Sequence, residues 1–146
     1  MSFNLHVGRD EVVLAAEKVV ACSIELGEEK ERFFIPVEYW SREKYIEEWK
    51  RSFKQGFEAC RHSALIVSMR NAEYLNFVAV WVLYFEADVV VVQNQIVFLD
   101  ELVEGFDYNK INSYIGARES FNEDGEKISE WVVPLVDVID CFQRLN

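Results

Sequence analysis

Two apolar runs in mid-chain, Asn76 to Glu86 and Asp88 to Phe98, restrict the possible folds more than any other feature of the sequence. Both are rich in Val, Ile, Phe and Trp, side chains that suit the pleated, buried surface of a strand, and only a short break at Ala87-Asp88 divides them. A third run, Ser63 to Met69, precedes them across the polar break Arg70-Asn71-Ala72-Glu73. Together they predict an antiparallel meander at the centre of the fold, its middle strand buried on both faces. They do not predict a membrane span. The longest stretch without a charge, Tyr74 to Phe85, has 12 residues, where a bilayer needs roughly 20.

The first 40 residues read as extended chain punctuated by turns. Lys18 to Leu26 and Glu31 to Val37 flank the turn signal Gly27-Glu28-Glu29-Lys30, which predicts a hairpin whose second strand ends at Pro36 or lies at an edge. Ser41 is placed to cap a helix from Arg42 to Ala59, with Trp40 and Tyr45 positioned for a hydrophobic staple. Tyr45, Trp49, Phe53 and Phe57 then form an aromatic stripe that reads as a core face, while Glu43, Glu47, Glu48, Lys50, Arg51 and Lys54 read as the solvated side. From Leu99 to Gly125 the periodicity fades into a long irregular connection, with a short helix around Asn109 to Tyr114. Lys127 to Val133 reads as a strand, in which Trp131 belongs to the core. Pro134 then opens an amphipathic helix carrying Leu135, Val138, Ile139, Phe142 and Leu145. The fold class expected is α+β: a mainly antiparallel sheet packed by one amphipathic helix, plus a C-terminal helix, in a single domain spanning residues 1–146.

The sequence carries few groups arranged for catalysis. His6 and His62 are the only histidines, and Cys60-Arg61-His62 is no recognised nucleophile–base spacing. No phosphate-binding glycine loop, zinc-protease motif or paired CxxC is present. Asn122-Glu123-Asp124-Gly125-Glu126 resembles a calcium-loop fragment, but Trp131 stands where the closing Glu is needed, so the segment reads as a turn. No cofactor and no metal are expected. Cys22, Cys60 and Cys141 are odd in number and widely spaced, and Met1 to Val7 lacks the basic start and apolar run of a signal peptide. Reduced thiols in a cytoplasmic protein are the expectation.

The distribution of charge is more informative. The net charge is −11, which disfavours nucleic acid and anionic membranes as partners. Residues 1–85 carry 13 acidic and 11 basic side chains, whereas residues 86–146 carry 13 acidic and only 4 basic ones. Asp100, Glu101, Glu104, Asp107, Glu119, Glu123, Asp124, Glu126 and Glu130 crowd the irregular segment and its flank, interleaved with Phe106, Tyr108, Tyr114 and Phe121. Acids around aromatic anchors suit recognition of a basic protein; a solvated acidic face that keeps the chain soluble is the plainer reading of the same residues.

Tyr39-Trp40-Ser41 with Tyr45 and Trp49, Ser63-Ala64-Leu65-Ile66, Val92-Gln93-Asn94, Phe98-Leu99-Asp100-Glu101-Leu102 and the run Asn122 to Trp131 together resemble the immunity proteins of bacterial contact-dependent growth inhibition systems. The likeness covers about two-thirds of the chain, from Trp40 to Trp131, and is most distinctive over Asn122 to Trp131. It implies a small cytoplasmic protein without catalytic activity that binds and neutralises its own system's toxin domain, commonly a nuclease. The contact residues proposed for that toxin rest on charge alone: Asp100, Glu101, Glu104, Phe106, Asp107, Tyr108, Glu123, Asp124 and Glu126. A nuclease cleft is basic because it must attract phosphates, so an acidic inhibitor complements it. The alternative from another class is an acidic adaptor or scaffold serving an unrelated basic protein.

Overall fold

The computed structural model describes residues 2–146. Strands β1 (Phe3–Leu14), β2 (Glu17–Leu26) and β3 (Glu29–Pro36) form one antiparallel sheet; β4 (His62–Ile66), β5 (Phe77–Glu86), β6 (Val89–Phe98) and β7 (Glu130–Pro134) form a second. Helix α1 (Arg42–Glu58) joins the sheets, and α2 (Leu135–Arg144) follows β7. The class is α+β with antiparallel sheets, a central helix and a C-terminal helix, as the sequence predicts. The strands nevertheless divide between two sheets, because α1 intervenes after β3 and before β4 begins. Pro134 caps α2 in an extended conformation (φ −67°, ψ 138°) rather than occupying its first turn. No helix of the described residues is long and apolar enough to cross a membrane.

The core lies between the sheets. Phe3, Leu5 and Val7 stand opposite Leu26, Ile24 and Cys22 in the β1–β2 register, and all six are buried. From the second sheet, Trp81 meets Phe33 of β3 at 6.2 Å and Trp131 of β7 at 6.0 Å between ring centroids. Trp131 is half-buried, with its indole Nε1 donating to Glu29 Oε2 at 2.6 Å across the seam. On β5, Val78, Val80, Trp81, Val82, Leu83 and Tyr84 are all buried, the two-faced burial that its sequence demands.

Helix α1 starts as expected: the Ser41 hydroxyl accepts from Lys44 N, and Trp40 packs edge-on against Tyr45 at 5.2 Å. Its deepest face, however, is not the four-residue aromatic row. Each step of four advances about 40° beyond a full turn, so Phe53 and Phe57 swing away, and the buried row is Tyr45, Trp49, Ser52 and Gly56. That row lies along the outer edge of β4 and the extended chain after it. Tyr45 Oη accepts from Met69 N, Trp49 Nε1 donates to Ile66 O at 2.7 Å, and Ser52 Oγ donates to Ala64 O at 2.6 Å. At Gly56 the approach is so close that a Cβ would sit 2.0 Å from His62 O. Phe53 stacks on Phe142 of α2 at 4.3 Å, and Phe57 stays exposed on one side.

The irregular segment after β6 is fastened across the face of the second sheet that carries Tyr84, Gln93 and Gln95. It buries Ile111 and Ile115 within a 3₁₀ stretch, Tyr108–Tyr114, and its cap. Asn112 Oδ1 accepts from Ala64 N at 2.7 Å, completing the edge of β4, while its amide donates to Ser52 O and Gln55 Oε1. Tyr84 Oη donates to Gly116 O, and buried Gln93 donates to Glu119 O and Glu130 Oε1. Arg118 then pairs with Glu130 and Glu86, and its hydrogen bond to Glu130 holds that carboxyl below the usual range. Glu48 does not belong to the solvated helix face. It is 7% exposed, bridging Lys44 at 3.2 Å and Arg51 at 2.7 Å, and Arg51 donates in turn to the carbonyls of Tyr108 and Asn109. Burying this carboxylate is tolerable because two cations hold it.

Replacing Trp49 with Ala should lower stability by about 3–5 kcal/mol, combining a large cavity with a carbonyl left unpaired at Ile66; urea denaturation measures it. The depressed Glu130 carboxyl contributes stability that is complete above the unfolded carboxylate pKa of about 4.3 and is lost as pH falls through its lower folded value. The stability gap between the unaltered chain and Glu130→Gln should therefore be widest near neutrality and close in acid, in denaturation midpoints measured from pH 3 to 7.

Candidate functional site

The acidic residues singled out in the sequence fall into two clusters. Asp100 and Glu101 occupy a 3₁₀ turn, Leu99–Glu101, at the end of β6, and Glu104 follows in a second turn that Gly105 completes at φ +82°. All three acids are exposed. Glu123, Asp124 and Glu126 project from a turn closed by a Phe121–Lys127 bridge. There Asn122 Oδ1 accepts from the backbone of Asp124 at 3.0 Å and of Glu126 at 2.9 Å, so the asparagine side chain itself shapes the turn. Among the described residues, the ion-paired carboxylates are Glu17, Glu48, Glu86, Glu130 and Asp140, and none of these six exposed acids.

Phe106, Asp107 and Tyr108 are half-buried and hold the segment to the body of the protein. Asp107 Oδ1 accepts from Asn109 N at 3.0 Å and caps the 3₁₀ stretch. Phe106 lies 5.8 Å from Tyr114. Tyr108 meets Trp40 edge-on at 5.1 Å, and Lys44 Nζ sits 5.1 Å from its ring centre.

The side chains that stand out among the acids are others. Phe98 is 51% exposed and faces Phe77 across the β5–β6 register with ring centroids 6.4 Å apart. Ile96, two residues earlier, shares their face, and Val103 and Phe121 project fully or largely into solvent. A cavity of about 540 Å³ opens between Val103, Glu104, Asp107, Lys110 and Tyr114. The strand alternation in the sequence put Ile96 and Phe98 on one face; only the structure shows that the sheet ends before anything covers them. The result is an apolar strip at the end of a hairpin with unpaired carboxylates on its flank, chemistry suited to meeting another protein.

His62 Nε2 is engaged by Asn112 O at 2.8 Å. Burial pushes the Cys22 thiol up to about 12 and raises that of Cys141, so both stay protonated. Among the described residues no three His, Cys, Asp or Glu side chains converge to hold a metal ion.

Comparison with known proteins adds to this geometry. The family model for the CdiI N-terminal domain matches residues 35–141. The immunity protein CdiI of Enterobacter cloacae subsp. cloacae is 38% identical over 144 residues, covering 99% of both chains. Among solved structures, a chain of the CdiA-CT/CdiI toxin and immunity complex from Enterobacter cloacae superposes with a TM-score of 0.91 at 38% identity, over 99% of this chain and 98% of that one. The likeness runs through both sheets and the segment that joins β6 to β7, and the chain belongs to the CdiI family of immunity proteins.

Proposed function

We propose that the chain binds the CdiA-CT toxin domain of its own contact-dependent growth inhibition system in the cytoplasm and that this toxin is a basic nuclease. The end-to-end likeness to the immunity protein of a toxin–immunity complex carries this reading. The net charge of −11 supports a basic partner, because complementary fields speed encounter. The contact surface proposed is the acidic segment: Asp100, Glu101, Glu104, Glu123, Asp124 and Glu126 as the charged rim, with Phe98 and Val103 as exposed apolar anchors beside Phe106, Asp107 and Tyr108. The last three support the rim from below, since their rings and cap hold the segment in one conformation.

The test is binding kinetics with the system's own toxin domain at several ionic strengths, together with growth protection of cells exposed to it. Reversing Glu123 and Asp124 to Lys should slow association by about tenfold and flatten its salt dependence. Phe98→Ala should mainly speed dissociation. Glu47→Lys, on the exposed side of α1, is the control and should change little. If the Glu47 reversal abolishes protection while the Glu123/Asp124 reversal leaves it intact, the contact surface lies elsewhere.

A further inference from the structure

The β1–β2 hairpin ends in a turn that its residues fit poorly. Ala15 and Ala16 both adopt left-handed backbone, at φ 51° and 64°, in a two-residue connection that normally takes Asn-Gly. The three residues before them are apolar and exposed: Val12 at 47%, Val13 at 71% and Leu14 at 49%. The covered part of β1 ends earlier, where Arg42 donates to the carbonyls of Val7 and Gly8, and the register shifts before Glu11. Backbone strain under an exposed apolar tip contributes nothing to the core, and strain of this kind collects at functional surfaces.

Beside the tip lies a cavity of about 420 Å³ whose walls include Glu17, Glu38, Tyr39, Arg70 and Tyr74. Leu14 pairs with Glu17 in the register and so stands next to this wall. Glu17 is spent on Arg70, which it grips through two bonds of 2.8 and 3.1 Å. Glu38 accepts from Lys18 N at 3.0 Å and has no cation among the described residues, which leaves the cavity net negative. Tyr39 and Tyr74 are 54% and 73% exposed at its mouth.

Aromatic walls, an aliphatic corner and a carboxylate match one kind of side chain, a long apolar stem ending in a cation. We propose that this cavity and the hairpin tip form a second contact surface for the toxin and that the cavity receives an arginine or lysine of it, the stem against Ala16, Tyr39 and Tyr74 and the charge on Glu38. The inference rests on the reading that the chain binds a basic toxin. The surface is built from different elements than the acidic segment, so the two can fail separately.

Binding kinetics of the full chain against its toxin domain test the proposal. Tyr74→Ala and Tyr39→Ala, both at exposed positions, should each speed dissociation about tenfold, and Glu38→Gln should weaken binding about tenfold. In a double-mutant cycle, alanine at one particular Arg or Lys of the toxin should cost at least about fivefold less in the Glu38→Gln background. If the unaltered chain binds but all three variants bind within about twofold of it, the cavity is no contact and this proposal falls alone. If the unaltered chain does not bind the toxin at all, the functional reading above falls and takes this inference with it.

Discussion

The edge of β4 is where α1 and the irregular segment are fixed to the second sheet. An edge strand exposes a row of backbone donors and acceptors that must find partners or be left to pair with other chains. Here they are met by side chains: Ser52 and Trp49 of α1 take the carbonyls of Ala64 and Ile66, and Asn112 takes the amide of Ala64. The same contacts fix the helix against the sheet, and the helix in turn carries Lys44, Glu48 and Arg51, which pin the segment around Tyr108. Sheet edge, helix and acidic segment are therefore one connected unit, and loss of its first contact loosens the last.

Much of this was legible in the sequence. The central hairpin, the Ser41 cap, the length of α1 and the C-terminal helix all follow from local signals, because periodicity and capping depend on neighbours in the chain. What failed was phase and partnership. The buried face of α1 includes Ser52 and Gly56, which no hydrophobic stripe would select; they are there to reach the strand edge and to let two backbones touch. Glu48 looked solvated because its two cations are recognised only when the helix is built. The separation into two sheets was equally hidden, since alternation tells which face a strand buries and not which strand it joins.

The candidate surface shows the same limit. Charge clustering located the acids, and six of them are exposed with no ion pair among the described residues. It could not sort the aromatics, because an aromatic among acids reads alike whether it anchors a partner or the loop itself. Phe106 and Tyr108 face inward, and Phe98 faces out. Ordering the segment in advance has an energetic meaning: a loop already held by Gln93, Asn112 and Tyr84 loses little conformational freedom on binding.

The first sheet depends on residues far away in the chain. Leu5 N donates to Cys141 Sγ across 136 positions, and Phe142 closes on Phe53. During synthesis the β1–β2–β3 meander can pair locally, but the outer rim of β1 has no cover until α2 has been made. Nascent chains paused before α2 would present an open strand rim to their neighbours on the same polysome. Premature termination upstream of Pro134 should for that reason yield self-association and insoluble product rather than a weaker inhibitor.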